Sequence, residues 1–265
     1  MDIKAVKLVC FSPTGTSWAL LKAVAQGLDQ GAEWVDITRP EVRAEPLGAA
    51  ADELLVIAVP VYGGRVPLLA ARWLERLQAD NTPMACVVVY GNRAFEDALL
   101  ELTDLVRAGG GVPVAGAAFV AEHSFSSDER PIAVGRPDAA DLERAEDFGR
   151  RLGERVATLV EADQVPALAV PGDRPYKERK AREPVEFIAV SDDCVQCGLC
   201  AQVCPVEAID SEDSRVTDLV KCIRCCACIK VCPQQARSLM PSWIMDAATW
   251  LTTNCADRKE PEFFF

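Results

Sequence analysis

Residues 5–28 read AVKLVCFSPTGTSWALLKAVAQGL, and this stretch decides the fold. Ala5 to Cys10 is a short, almost unbroken apolar run, as expected of a parallel strand buried on both faces. Thr16 to Leu28 then repeats apolar residues at helical spacing, with polar residues on the other side. Between them FSPTGTS offers the hydroxyls of Ser12, Thr14, Thr16 and Ser17 at the mouth of a helix whose first N–H groups lack intrahelical partners. Gly15 lets backbone approach closely, so the mouth suits a phosphate-like anion. A P-loop would need G-x4-G-K-[ST] and a dinucleotide turn G-x-G-x-x-G, and neither follows this strand.

Working outward, Leu54 to Pro60, Ala85 to Tyr90 and Val112 to Ala121 repeat the strand pattern, and Glu33 to Ile37 adds a short strand at or near an edge. Leu68 to Leu77, Arg93 to Ala108 and Ala139 to Val160 read as amphipathic helices. Alternation of this kind specifies an α/β domain, a doubly wound five-stranded parallel sheet ending near residue 162. Open sheets of this class bind ligands at the carboxyl ends of their strands. The two loops that fall there are PVYGGRVP and YGNRAFEDAL, which makes Pro60, Val61, Tyr62, Gly63, Gly64, Tyr90, Gly91, Asn92 and Arg93 candidate binding residues. Tyr90 also reads as the last core residue of its strand, and Asn92 and Arg93 as caps of the next helix, pairing with Glu96 or Asp97.

From Asp163 the pattern stops. Prolines at 166, 171, 175 and 184 and the charged run Tyr176 to Glu183 mark residues 163–185 as a linker, a basic strap between two acidic domains that either lies against one of them or, as the simpler reading expects, is solvated. Beyond it lies an internal repeat: CVQCGLCAQVCP from Cys194 is matched 28 residues later by CIRCCACIKVCP from Cys222. Both follow C-x2-C-x2-C-x3-C-P, the spacing with which bacterial-type ferredoxins wrap two [4Fe–4S] clusters, the fourth cysteine of each run ligating the other cluster. That assigns Cys194, Cys197, Cys200 and Cys232 to one cluster and Cys222, Cys225, Cys228 and Cys204 to the second. Zinc is the competing reading, but zinc knuckles use C-x2-C pairs, often with histidine, and none lies here. Cys226 is expected to be a small buried residue beside a cluster, Cys10 and Cys86 inert core thiols, and the state of Cys255 stays open. A two-cluster α+β fragment over residues 186–240 buries too little surface to stand alone, so its clusters should act as its core.

The composition limits function further. Across 265 residues, 50% apolar, 28 basic side chains face 40 acidic ones for a net charge of −12, which argues against nucleic acid as a partner. No apolar run is long enough to span a bilayer and the start lacks a signal-peptide pattern, so a cytoplasmic protein is expected. Reduced thiols are the rule there, so the twelve cysteines do not read as a disulfide framework.

Ser12 to Ser17 resembles the T/S-x-T-G-x-T phosphate loop of flavodoxins, with serine in place of threonine at both ends, and this implies the 5′-phosphate of FMN as the anion. By the same resemblance PVYGGRVP and YGNRAFEDAL would grip the isoalloxazine ring. Tyr62 would stack on it, and Gly63, Gly64 and Gly91 would admit backbone amides. Over residues 1 to about 240 the chain is similar to the ferrodoxin family, a flavodoxin-like domain joined to a two-cluster ferredoxin and found largely in anaerobic microbes. Beside the loops and cysteine runs, AEHSFS around His123 carries that resemblance. It implies FMN, two [4Fe–4S] clusters and electron transfer with a redox protein such as a ferredoxin or an oxidoreductase; a homo-oligomer is compatible with it. A second reading is an FMN-dependent reductase of a small substrate, although no residue set looks like a dedicated acid/base or hydride-donor site; a third is a redox-responsive interaction module. His123 reads as a structural loop residue. The tail 241–265 carries an apolar helical stripe, Trp243, Ile244, Ala247, Trp250 and Leu251, opened by Ser242 and expected to pack across the domain junction.

Overall fold

A computed structural model describes residues 1–179 and 183–265. Its elements are β1 (Ala5–Cys10), α1 (Thr16–Leu28), β2 (Ala32–Asp36), β3 (Gly48–Ala49), β4 (Glu53–Pro60), α2 (Leu68–Leu74), β5 (Gln78–Ala79), β6 (Thr82–Tyr90), α3 (Ala98–Ala108), β7 (Gly111–Val120) and α4 (Ala139–Thr158). The C-terminal part adds β8 (Ile188–Val190), α5 (Leu199–Gln202), α6 (Ala227–Lys230), β9 (Arg237–Leu239), α7 (Trp243–Asn254) and β10 (Glu262–Phe264). The main sheet runs β2-β1-β4-β6-β7-β10, and its first five strands are parallel. That order is the flavodoxin-like 2-1-3-4-5 winding.

Both faces of the sheet are dry. Val9, Leu55, Ile57 and Val88 point to a core closed by Trp73 and Leu74 of α2 and by Leu99, Leu102 and Val106 of α3. Leu8, Val56, Ala58 and Val87 point to the opposite core, closed by Leu20, Leu21 and Val24 of α1 and by Phe148, Leu152 and Val156 of α4. Period-two alternation on strands buried on both sides explains why their sequences are unbroken apolar runs. Helices α1 and α4 approach so closely that a Cβ at Gly149 would lie 2.0 Å from the Val24 carbonyl oxygen and one at Gly27 would lie 1.9 Å from that of Glu146. Cys10 and Cys86 are buried in the strands, and burial pushes the Cys86 thiol up to about 12.

Three features differ from the sequence reading. Helix α3 begins at Ala98 rather than Arg93, because Asn92 and Glu96 take left-handed backbone (φ 65° and 45°) and residues between them form a turn. The sheet has a sixth strand: β10 pairs antiparallel with β7, Phe263 opposite Ala117. The side chains of Phe263 and Phe265 lie on Phe148 of α4 at 5.2 and 5.5 Å, while Phe264 packs against the other core. The third is the strap, which lies docked along α3 instead of in solvent. Arg174 pairs with Asp104 at 2.7 Å, Lys177 with Glu96 at 2.6 Å and Arg179 with Glu101 at 2.7 Å. Backbone N–H groups of Asp173 and Lys177 donate to the Asp97 carboxylate. Lys180, Ala181 and Arg182 of the charged run lie outside the described residues.

Helix α7, capped by Ser242, packs across the junction, but through Ile244, Ala248 and Leu251 rather than the whole expected stripe: Trp250 is exposed, because the helix turns Ala248 and not Ala247 inward. Ala248 and Leu251 meet Ile132 after β7, and Ile244 meets Phe187 and Cys226 of the cysteine-rich part.

Candidate functional site

The two cysteine runs fold alike because the backbone turns left-handed at matching places. Gln196 and Arg224 (φ 55° and 61°), Gly198 and Cys226 (75° and 57°), and Glu207 and Gln235 (51° and 52°) are pairs 28 residues apart. Left-handed backbone costs a non-glycine residue about 1 kcal/mol or more. Five of these six are not glycine, so something other than local preference holds the turns. Each run then makes one helical turn, α5 or α6, before its Cys-Pro pair.

These turns arrange the thiols around two recesses. Cys194, Cys197, Cys200 and Cys232 line the first, of about 320 Å³, together with Ser214 and Arg237. Cys204, Cys222, Cys225 and Cys228 line the second, of about 350 Å³, with Cys226 as a fifth cysteine in its wall beside Phe187, Ile209 and Ile223. Each recess therefore takes one thiol, the fourth of a run, from the opposite run, and the rest from its own. Among the described residues no three His, Cys, Asp or Glu side chains close on a single ion position. Four zinc thiolates would have to converge on one point at about 2.3 Å.

The recesses differ in their surroundings. Cys197 in the first is exposed, whereas Cys225 and Cys228 in the second are buried, and burial pushes their thiols up to about 12 and about 11. Buried thiols of this kind stay protonated unless a metal displaces the proton. Arg237 stands against the first recess, buried to 4% exposure, its Nη1 3.6 Å from Cys200 Sγ and also donating to the Ser214 carbonyl. Its Nε has no hydrogen-bond partner. Cys226 packs beside the second recess with Phe187 and Ile244.

The second recess abuts the loops at the carboxyl end of the sheet. Ile223, between two of its cysteines, packs on the sheet core, and Arg43 donates to the carbonyl of Pro205. Tyr62 lies there too: its hydroxyl is held well above its ordinary value, first by burial and then by the thiols of Cys225, Cys226 and Cys222. Tyr62 and Arg65 exchange backbone hydrogen bonds of 2.9 and 3.2 Å across Gly63 and Gly64, both left-handed (φ 62° and 85°). Two adjacent positive φ values define a primed turn, which is why both positions are glycine. Arg65 clamps this turn to α3 through paired bonds to Glu101 at 2.7 and 2.9 Å.

At the phosphate-type loop, Gly15 is left-handed (φ 84°) and caps α1 with nothing within 4 Å of where its Cβ would be. Ser12 Oγ accepts from the Trp18 N–H at 3.2 Å. Ser17, 1% exposed, has an Oγ without a partner, while Thr14 and Thr16 are half-buried beside it.

The remaining candidates are placed by contacts within the chain. Val61 N–H donates to Val89, and Pro60 ends β4. Tyr90 is buried against Phe95 at 5.5 Å. Gly64 accommodates Glu96 and Gly91 accommodates His123, whose ring would lie 2.2 Å from a Cβ there, so these two glycines admit side chains rather than open space. Asn92 Nδ2 donates to the carbonyls of Cys255 and Asp257, fastening the tail, and Arg93 pairs with Glu96 at 2.8 Å. His123 Nδ1 accepts from the Phe125 N–H, and burial, followed by the charges of Arg93 and Lys230, lowers its titration to about 4. It is therefore neutral at physiological pH. Sequence reasoning missed Arg237 and the tail contacts of Asn92; the 28-residue repeat, which sets Arg237 against Ile209, was the available signal for the first.

A flavodoxin-like α/β domain joined to a 4Fe–4S binding region places the chain in the class of iron–sulfur proteins. The family model described as "4Fe-4S binding domain" matches residues 188–210, which span the first cysteine run. No protein of curated function matches the sequence. Among solved structures, the chain is similar to a flavodoxin from the domain Archaea at 12% identity and TM-score 0.40, covering 58% of this chain and 98% of that one. It is similar to oxidised Flavodoxin 2 from Bacillus cereus at 14% identity and TM-score 0.42, covering 57% and 99%. An NADH:FMN oxidoreductase in apo form gives 15% identity and TM-score 0.35, covering 60% and 92%. The strand order, rather than these likenesses, defines the fold. Among the described residues no helix is long and apolar enough to cross a membrane.

Proposed function

We propose that the chain is an electron-transfer iron–sulfur flavoprotein. In this reading residues 1–162 hold FMN, 163–185 are the connecting strap, 186–240 hold two [4Fe–4S] clusters, and 241–265 form a tail that ties the halves together. The observation that carries the reading is that the two recesses divide the cysteines of the two runs between them, four in the first and the matching four plus Cys226 in the second, each with one thiol from the opposite run. The C-x2-C-x2-C-x3-C-P spacing favours multi-iron clusters over single ions, and the unpartnered Arg237 Nε suits a sulfur acceptor.

For FMN, the fit rests on the α1 mouth: Gly15 leaves open space and Ser17 Oγ is buried without a partner, as a phosphate oxygen would require. Bound FMN supplies one- or two-electron exchange and bound clusters single-electron exchange. The chain's own groups do the holding. Ser12, Thr14, Thr16, Ser17 and the α1 amides would take the phosphate, and Tyr62 and Gly63 would meet the ring. Tyr62 then stands between the flavin loops and the second recess. The partner is a redox protein such as a ferredoxin.

Anaerobically purified protein should contain about eight irons, from two four-iron clusters, and one FMN. Cys204→Ser should disturb the cluster held by Cys222, Cys225 and Cys228 and spare the other. Four irons, or zinc in their place, would overturn the cluster reading, and absence of flavin would overturn the FMN reading.

A further inference from the structure

The internal repeat makes the two recesses near copies, so a residue that breaks their equivalence stands out. Five positions after the fourth cysteine of each run, the first run has Ile209 and the second has Arg237, again 28 residues apart. Each lines the recess that its own fourth cysteine joins: Ile209 lies with Cys204 and Arg237 with Cys232. One recess is thus walled by a buried aliphatic side chain, 6% exposed, where the other has a buried guanidinium, 4% exposed.

An arginine stays charged in a protein, and burying it without a carboxylate partner is costly. No acidic side chain pairs with Arg237 among the described residues. Its two terminal nitrogens reach the Ser214 carbonyl, Thr217 Oγ1 at 3.0 Å and Cys200 Sγ at 3.6 Å, and its Nε reaches nothing. A cation so placed needs a nearby anion, and a four-thiolate cluster has a net charge of about −2 that becomes more negative on reduction.

We propose that Arg237 sets the reduction potential of the cluster held by Cys194, Cys197, Cys200 and Cys232 above that of its twin. The inference rests on the two-cluster reading. Taking up one electron adds one negative charge to the cluster, and a fixed positive charge with N–H donors favours that more negative state. The exposed Cys197 acts in the same direction, since water near the cluster also favours the more highly charged form. In the second recess Ile209, Phe187 and Ile223 provide neither charge nor donor. During reductive titration the first electron added to the cluster pair, supplied by dithionite, therefore resides in the first recess.

The test is an anaerobic redox titration of the holoprotein followed by electron paramagnetic resonance, with each signal assigned to a recess through Cys197→Ser and Cys225→Ser. Arg237→Ile, which copies the twin, should lower the one-electron equilibrium constant of the first cluster about tenfold, a shift of 59 mV for a one-electron couple. The second cluster should move in the same direction but by less, since Arg237 also bonds Thr217 in the wall of the second recess and its charge is felt at Cys228. Arg237→Lys and Arg237→Gln keep the test intact should the isoleucine variant lose iron: lysine should retain most of the potential and glutamine should lower it. Eight irons with an unmoved first potential in the isoleucine or glutamine variant, or equal shifts in both clusters, would overturn the role of Arg237 alone. Four irons or a single signal in the unaltered protein would bring down the two-cluster reading, and this proposal with it.

Discussion

The α/β half and the cysteine half of this chain are held together by different physics. Between β1 and α4, two continuous apolar cores close both faces of one sheet, and the largest side chains in them, such as Phe11, Phe119 and Phe148, are fully buried. Around the cysteines the apolar clusters shrink to three buried residues each, Phe187, Cys226 and Ile244 in one and Cys200, Ile209 and Cys228 in another. That half also carries left-handed turns at Gln196, Arg224 and Cys226 that local preference opposes. A region with so small a core and such strain is expected to depend on its ligands for stability, and the sheet domain is not. Proteins below the size of a self-sufficient core use metals in this way.

Removing iron is the sharpest way to separate the two. Anaerobic chelation should abolish hydrogen-exchange protection across residues 188–239 while strands β1, β4 and β6 stay protected. Loss of protection in the sheet as well would show that the halves form one cooperative unit. The converse substitution attacks the sheet domain: Phe148→Ala removes a ring fully buried against Phe119 and Phe263 and should cost about 3–5 kcal/mol in urea unfolding. Iron content at low urea should be unchanged, and a parallel loss of iron would erase the distinction.

The binding loops offer a smaller effect. Thr14→Ala with Ser17→Ala should weaken FMN binding by about 2 kcal/mol, roughly 1 kcal/mol for each hydrogen bond lost, with iron unaltered. Unchanged flavin affinity would mean that these hydroxyls serve only the start of α1. The smallest effect concerns pH. His123 titrates near 4 in the fold against an ordinary 6.5, so the unfolded chain takes up this proton first as pH falls. Its contribution is complete above pH 6.5 and is lost as pH falls toward 4. His123→Gln should flatten that part of the pH dependence of the sheet domain's urea midpoint; an unchanged slope would place its source elsewhere.

Strands buried on both faces and helices with a single apolar stripe write their period directly into the chain, so β1, β4, β6, β7 and α1 were legible from residue order. Cysteine spacing is equally local: three thiols within seven residues, then Cys-Pro, already prescribe a convergent loop, and the repeat prescribes two. Helix α3 was misread at its start because Asn92 and Glu96 adopt left-handed backbone that their side chains do not announce. Other features depend on partners far away in the chain. Glu262 to Phe264 become a strand only because β7 leaves an edge unpaired and α4 presents Phe148. The strap is fixed by carboxylates on and just before α3, some 70 to 80 residues earlier, and Asn92 by carbonyls more than 160 residues later. Hydrogen bonds and ion pairs of that range leave no period in the sequence. Likewise Arg237 reads as an ordinary charged residue until folding buries it beside Cys200, and only the packed structure reveals that the two halves of a repeat enclose unlike environments.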